Sequence, residues 1–174
     1  MFFTIPGLRN SGHDHWQTFW ETQSPGEFKR IVQDNWEVPE KTAWVSRIQE
    51  VTSSYRDQDI ILIGHSVGCA AIVHWYKIYR RKIKGALLVA PSDVDREDYP
   101  SYIQGFDPMP LDPLPFPSFV VASSNDHVVT PERAHFFARH WGSEFEQIEN
   151  AGHIEGGNGY GPWEEGLKIL HKFT

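Results

Sequence analysis

The chain has 174 residues, of which 40% are hydrophobic and 14% aromatic, so we expect one folded domain over residues 1–174 rather than a disordered segment. A formal net charge of −7 argues against a nucleic-acid-binding surface, and no stretch approaches the ~20 apolar residues that a membrane span needs. The only cysteine, Cys69, excludes an internal disulfide framework, and because the opening apolar run stops at Pro6 we identify no signal peptide and expect a cytoplasmic location.

Apolar segments typical of strands alternate along the chain with amphipathic segments typical of helices. Strands are predicted near residues 2–6, 29–35, 60–65, 85–90, 118–123 and 144–149. Helices are predicted near residues 14–22, 40–54, 67–81, 131–141 and 162–172. This alternation predicts an α/β fold with six strands in a mostly parallel sheet and helices on both faces.

The segment after the first strand contains two histidines around an aspartate, His13, Asp14 and His15. Such side chains can bind zinc or iron, but a catalytic metal site needs further ligands in a defined geometry. We therefore predict neither a metal nor a cofactor. We expect His15 and Trp16 to cap and anchor the first helix, with a supporting role near the loop after the first strand as an alternative.

The motif Gly64-His65-Ser66-Val67-Gly68 lies between an apolar strand and a helical stretch. A serine flanked by glycines at this place is typical of the nucleophile elbow of α/β-hydrolases. The turn forces strained backbone angles on the serine, and side chains at the flanking glycines would collide with the neighbouring strand and helix. Ser66 is therefore the predicted nucleophile, above a helix N-terminus whose N–H groups favour a developing negative charge.

Residues 93–117 interrupt the alternation because they contain six prolines, which remove backbone donors and disfavour regular helix. We expect a stiff, ordered loop with at most a short helix around Arg96–Ile103 and no large cap domain. Without such a cap, the site should be open and accept a broad range of substrates. Five apolar side chains of this loop could either line an acyl pocket or pack on the sheet edge: Tyr102, Phe106, Met109, Leu111 and Leu114.

Two later segments supply the partners of the serine. Asp126 follows the strand at 118–123, where the acid of this fold projects, and Asp93 is the alternative because it also follows a strand. His153 lies in a glycine-rich loop after the last strand, which can bring an imidazole back over the sheet. Histidine suits the role of base because its ordinary pKa lies near neutrality, so it can accept the proton of the serine and later donate it.

An oxyanion hole would need two backbone N–H groups. One is that of Val67, directly after the serine. The other comes from the loop that follows the first strand, where we choose Leu8 and keep Gly7 and Arg9 as alternatives.

Several segments share their pattern with one family: Ile5–Gly7 with His15-Trp16, Gly64–Cys69, Ala90–Asp93, Ser123–Asp126 and Gly152–Ile154. In these segments, which run nearly end to end, the chain resembles the small serine hydrolase family that includes the retinoblastoma-binding serine hydrolase. The resemblance implies a compact α/β-hydrolase that cleaves esters or amides, with Ser66, Asp126 and His153 as its triad. A Leu-x-Cys-x-Glu segment is absent from this sequence, so retinoblastoma-type binding is not implied.

The predicted function is hydrolysis of small esters through an acyl-enzyme, as in carboxylesterases. A thioesterase and an aminopeptidase-like amidase remain alternatives on the same triad, and a protein-binding module with incidental hydrolysis is an alternative of another class. A peptidase for free N-termini needs an acid to hold the ammonium, and Glu155, Asp93 and Asp14 are candidates. The expected partner is a small-molecule ester or amide, and the oligomeric state stays open.

Overall fold

Six strands form the sheet that positions every other element. The computed structural model describes residues 1–173. Its strands are β1 (Phe2–Ile5), β2 (Phe28–Arg30), β3 (Ile61–His65), β4 (Gly85–Val89), β5 (Ser118–Ser123) and β6 (Glu144–Ile148). They lie in the order β2-β1-β3-β4-β5-β6, and each neighbouring pair is parallel. The predicted six-stranded sheet is confirmed.

Helices cover both faces of the sheet. They are α1 (Trp16–Gln23), α2 (Lys41–Thr52), α3 (Val67–Tyr79), α4 (Pro131–Trp141) and α5 (Glu164–Leu170). Core residues of α1 and α5 pack together on one face, and those of α2, α3 and α4 pack on the other. Within residues 1–173, no helix combines the length and apolar content that a membrane crossing requires.

The pleat of the strands distributes their side chains between these two layers. In β3, Leu62 packs in the layer of α2, α3 and α4, whereas Ile61 and Ile63 pack in the layer of α1 and α5. All three are nearly inaccessible to solvent. A parallel sheet covered on both faces requires such continuous apolar strands, which explains why the central strands are easy to read from the sequence.

Strand β2 is much shorter than the predicted strand at 29–35. It pairs only with β1, and the last backbone bond on that side runs from Ile31 N–H to the Thr4 carbonyl oxygen. Beyond this point β1 ends at Ile5 and the chain continues with Pro6, which has no N–H group. The edge strand therefore stops where its only partner stops.

The proline-rich loop between β4 and β5 is ordered without forming a helix, since the Arg96–Ile103 region contains only turns. Side chains from the surrounding helices hold it: His74 of α3 contacts the Phe106 carbonyl oxygen at 2.7 Å, and Trp141 Nε1 of α4 donates to the Pro110 carbonyl oxygen at 2.8 Å. In the described residues a loop, and not a cap domain, therefore connects β4 and β5, as expected. Of its five named apolar side chains, Phe106, Met109 and Leu114 are buried in the core, Leu111 packs against it and Tyr102 is exposed.

The connection between β3 and α3 is a single residue, Ser66, with φ 56° and ψ −126°. Residues with side chains rarely adopt these angles. A Cβ at Gly64 would lie 2.9 Å from Cys69 N, and a Cβ at Gly68 would lie 2.8 Å from the Pro6 carbonyl oxygen. The expected steric need for both glycines is confirmed, because α3 lies against Gly64 and the end of β1 lies against Gly68.

We predict that Gly68→Ala lowers the free energy of unfolding by about 1–3 kcal/mol, because its methyl group must displace backbone atoms rather than flexible side chains. Urea denaturation measures the change. Gly157→Ala is the matched control, since its added Cβ meets nothing within 4 Å, and it should stay within about 0.5 kcal/mol of the parent protein. Equal stability of the two variants would contradict this account of the turn.

Candidate active site

The carboxyl ends of five strands open onto one cavity of about 470 Å³. Ligands of open α/β sheets bind at this edge. The loop after β1 contributes Gly7, Leu8, Arg9, Asn10 and His15; the β3–α3 turn contributes His65, Ser66 and Val67; the loop after β4 contributes Ser92, Arg96, Asp98, Tyr99, Pro100 and Ile103; and the loops after β5 and β6 contribute His127, Val128, His153 and Glu155. The apolar part of the proline-rich wall is thus formed by residues other than the five named from the sequence.

Asp126 and His153 form a buried pair beside this cavity. The Nδ1 atom of His153 lies 2.8 Å from Oδ2 and 3.0 Å from Oδ1 of Asp126. A carboxylate only accepts hydrogen bonds, so Nδ1 is the donor and the neutral ring has its free acceptor at Nε2. Asp126 Oδ1 also accepts from the Val128 N–H at 2.8 Å, which orients the carboxylate.

The alternative acid, Asp93, is engaged elsewhere. Both of its carboxylate oxygens accept from the guanidinium of Arg133 on α4, each at 2.8 Å. This two-pronged geometry is a strong form of ion pair and holds Asp93 toward α4. The structure therefore brings Asp126, and not Asp93, to His153.

Ser66 lies in the same cavity, where its Oγ atom is 2.9 Å from Oγ of Ser92. The Ser92 N–H also donates to the Ser66 carbonyl oxygen at 3.3 Å. Among the hydrogen bonds of residues 1–173, none joins Ser66 Oγ to His153. Such bonds are often long before substrate binds, and both side chains face one cavity, so this geometry is compatible with proton transfer between them.

The oxyanion-hole candidates differ in which N–H groups are free. Arg9 N–H donates to the Trp36 carbonyl oxygen at 2.9 Å, which removes it from consideration. In the described part of the chain, the N–H groups of Gly7 and Leu8 have no such acceptor. Val67 is the first residue of α3, where helix geometry leaves N–H groups without an intrahelical partner. The structure therefore leaves Val67 with either Leu8 or Gly7 as donors.

His15 and Trp16 anchor α1 as predicted. The Nδ1 atom of His15 accepts from the Gln17 N–H at 3.2 Å and caps the helix, and Trp16 Nε1 donates to the Ile154 carbonyl oxygen at 2.9 Å. Burial, followed by the nearby charge of Arg30, lowers the pKa of His15 from 6.5 to about 3. No group of three or more His, Cys, Asp or Glu side chains within residues 1–173 is arranged to hold a metal ion.

Ser92 and His65 line the cavity but received no role from the sequence, as is also true of other lining residues such as Tyr99 and His127. Ser92 is the hydrogen-bond partner of Ser66, and His65 contacts the carbonyl oxygen of His153 at 2.9 Å. His65 occupies a variable position of the elbow motif, and Ser92 belongs to a strand-end segment typical of the fold. Neither pattern indicates the direction of the side chain, so no sequence signal was available for these contacts.

The parallel sheet with a one-residue turn at the serine defines an α/β-hydrolase. The sequence matches the serine hydrolase family over residues 2–172, and the chain belongs to this family. No curated protein matched the sequence.

Solved structures agree with this assignment. A YdeN-like hydrolase from Pectobacterium atrosepticum is 38% identical, with a TM-score of 0.86 over 99% of this chain and 89% of that chain. The ydeN gene product from B. subtilis is 18% identical, with a TM-score of 0.80 over 99% and 97% of the two chains. A thermophilic esterase from Thermogutta terrifontis, solved with malate bound, is 16% identical, with a TM-score of 0.70 over 99% and 88%. The last two similarities show the fold alone.

The neutral state of His15 predicts a pH-dependent stability. Its pKa is about 3 in the folded protein and 6.5 in the unfolded chain. The unfolded chain therefore binds the extra proton between these values, so the free energy of unfolding falls as the pH drops through this window. Between about pH 7 and pH 4.5, His15 should account for a loss of about 2–3 kcal/mol.

The variant His15→Asn tests this contribution, because asparagine also caps helices but does not titrate. Urea denaturation at both pH values should show a smaller pH-dependent loss in the variant than in the parent protein. An identical loss in the two proteins would mean that His15 is already protonated in the folded state or stays unprotonated in the unfolded one.

Proposed function

We propose that this serine hydrolase cleaves small esters through an acyl-enzyme, with Ser66 as nucleophile, His153 as general base and Asp126 as the residue that orients the base. The observation that carries the proposal is the buried pair of Asp126 and His153 at the cavity that contains Ser66. An acid, an imidazole and a hydroxyl from three different strand ends supply the complete set of groups for acyl transfer.

The chemistry follows from the roles of these groups. As Ser66 Oγ attacks the ester carbonyl, Nε2 of His153 takes its proton, and the carbonyl electrons move onto oxygen. The N–H groups of Val67 and Leu8, with Gly7 as the alternative to Leu8, stabilise this oxyanion. The imidazolium then protonates the departing alkoxide, and the same histidine activates the water that hydrolyses the acyl-enzyme. Asp126 fixes the tautomer and stabilises the transient positive charge.

The shape of the cavity supports a small substrate. Its volume of about 470 Å³ lies in the range of small-molecule sites. One wall is the proline-rich loop, which is fixed to α3 and α4, and no cap helix lies between β4 and β5 in the described residues. A short ester can enter such a site directly, so we expect several acyl chain lengths to be accepted.

An aminopeptidase-like amidase is the second candidate, and one observation favours it. Glu155 lines the cavity two positions after His153, and its carboxylate takes part in no ion pair within residues 1–173. A carboxylate at this place could bind the ammonium of a free N-terminus. Faster hydrolysis of alanine p-nitroanilide than of its N-acetyl derivative would favour this candidate over the esterase.

The nucleophile is tested with p-nitrophenyl acetate, butyrate and octanoate. Ser66→Ala should lower kcat by at least about 10⁴-fold and abolish labelling by a fluorophosphonate, because no other group replaces the attacking oxygen. Ser46→Ala, on the exposed side of α2, is the matched serine control and should retain full activity. Turnover that survives in Ser66→Ala would refute the mechanism, and absence of both turnover and labelling in the parent protein would favour a binding module.

The acid is tested by comparing Asp126→Asn with Asp93→Asn. The first should lower kcat for p-nitrophenyl acetate by about 10⁴-fold, because an amide can stabilise the wrong imidazole tautomer. The second breaks the ion pair with Arg133 and should reduce stability while kcat stays within about threefold. A larger loss of kcat in Asp93→Asn would reverse the assignment of the acid.

A further inference from the structure

The imidazole next to the serine is bonded to the loop that carries His153. Nε2 of His65 lies 2.9 Å from the His153 carbonyl oxygen, and His65 is only 4% exposed. Since a carbonyl oxygen only accepts, Nε2 of His65 is the donor. We propose that His65 is a positioning residue, which sets the distance between His153 and Ser66 by holding the backbone of the histidine loop against the turn. The inference rests on the proposed function.

This hydrogen bond joins two residues that are 88 positions apart in the chain, and so it makes a direct link between the turn and the histidine loop. Ser66 follows His65 directly, so one residue and one hydrogen bond connect the nucleophile to the backbone of the base. The sheet alone gives no comparable link, because β3 and β6 are separated by β4 and β5.

The loop needs support of this kind. Ile154 adopts φ 50°, which is unfavourable for a β-branched residue and persists only where surrounding contacts hold it. The His153 N–H donates to Oδ1 of Asn158 at 2.9 Å, and the Ile154 carbonyl oxygen accepts from Trp16. Among these contacts to His153 and Ile154, only the bond from His65 connects the loop to the turn that contains Ser66.

The ring of His65 is itself held in place. His15 packs edge-on against it at 4.7 Å between ring centroids, and the His153 ring lies 4.8 Å away. Burial, with further contributions from His15 and His153, lowers the pKa of His65 well below its ordinary value. His65 therefore stays neutral at neutral pH.

The expected consequence is on the chemical step. A general base must lie within hydrogen-bonding reach of the proton that it takes, and a displacement of about 1 Å can cost about 100-fold in rate. Substrate binding depends on all the residues that line the cavity, and His65 is only one of eighteen. Loss of the His65 bond should therefore lower kcat much more than it changes KM.

The experiment compares His65→Leu, which lacks a donor, with His65→Gln, whose Nε2 can replace that of histidine. With p-nitrophenyl acetate, His65→Leu should lower kcat by about 10- to 100-fold with KM within about threefold, and the rate of fluorophosphonate labelling should fall in parallel. His65→Gln should recover kcat to within about fivefold of the parent protein. Thermal unfolding establishes that each variant is folded at the assay temperature.

The matched control is Trp20→Phe. Trp20 is another buried side chain whose ring N–H donates to a loop carbonyl oxygen, that of Pro162 at 3.0 Å, but neither residue lines the cavity. It should lose stability while kcat stays within about threefold. If His65→Leu does not fold, His65→Asn takes its place, because the asparagine amide is too short to reach His153.

The inference is wrong if the donor-free variant keeps kcat within about twofold of the parent protein, or if His65→Gln shows the same loss while folded. These failures are distinct from failure of the proposed function. An inactive Ser66→Ala with a fully active His65→Leu overturns only the positioning role, whereas an active Ser66→Ala overturns the serine mechanism itself.

Discussion

The close packing of α3 against the end of β1 is the constraint on which the site depends. A single residue, Ser66, turns the chain from β3 into α3, and glycine at positions 64 and 68 removes the side chains that would prevent it. The same crowding brings Gly7 beside the serine, since a Cβ at Gly7 would lie 2.8 Å from that of Ser66. One packing requirement thus places the hydroxyl, the free N–H groups of α3 and the loop after β1 together.

Burial of neighbouring histidines shapes the electrostatics around His153. His15 and His65 both lie close to it, and burial lowers the pKa of each. Because both rings remain neutral at neutral pH, neither opposes the positive charge that the proposed mechanism places on His153. Both also act structurally, His15 as the cap of α1 and His65 as a donor to the histidine loop. Burial thus keeps both imidazoles uncharged while their hydrogen bonds support α1 and the histidine loop.

The loop between β4 and β5 replaces a cap domain with a fixed wall. Its apolar interior, including Phe106, Met109 and Leu114, belongs to the core, so packing anchors the loop to the rest of the domain. Tyr99 and Ile103 face the cavity from this anchored loop. Substrate range should therefore depend on the shape of this wall rather than on the closure of a lid.

The sequence by itself determined the alternation of strands and helices and the turn at Ser66, because apolar periodicity and local steric limits act over a few residues. The helix that begins at Pro131 after the Thr130 cap was predictable for the same reason. Only the tertiary structure decided that Asp126 rather than Asp93 lies against His153, and that β2 ends at Arg30. It also decided that Arg9 N–H is already bonded and that the His65 ring turns toward the histidine loop. Each of these four features depends on a contact with a residue distant in the chain, and a local sequence pattern does not specify which distant residue makes that contact.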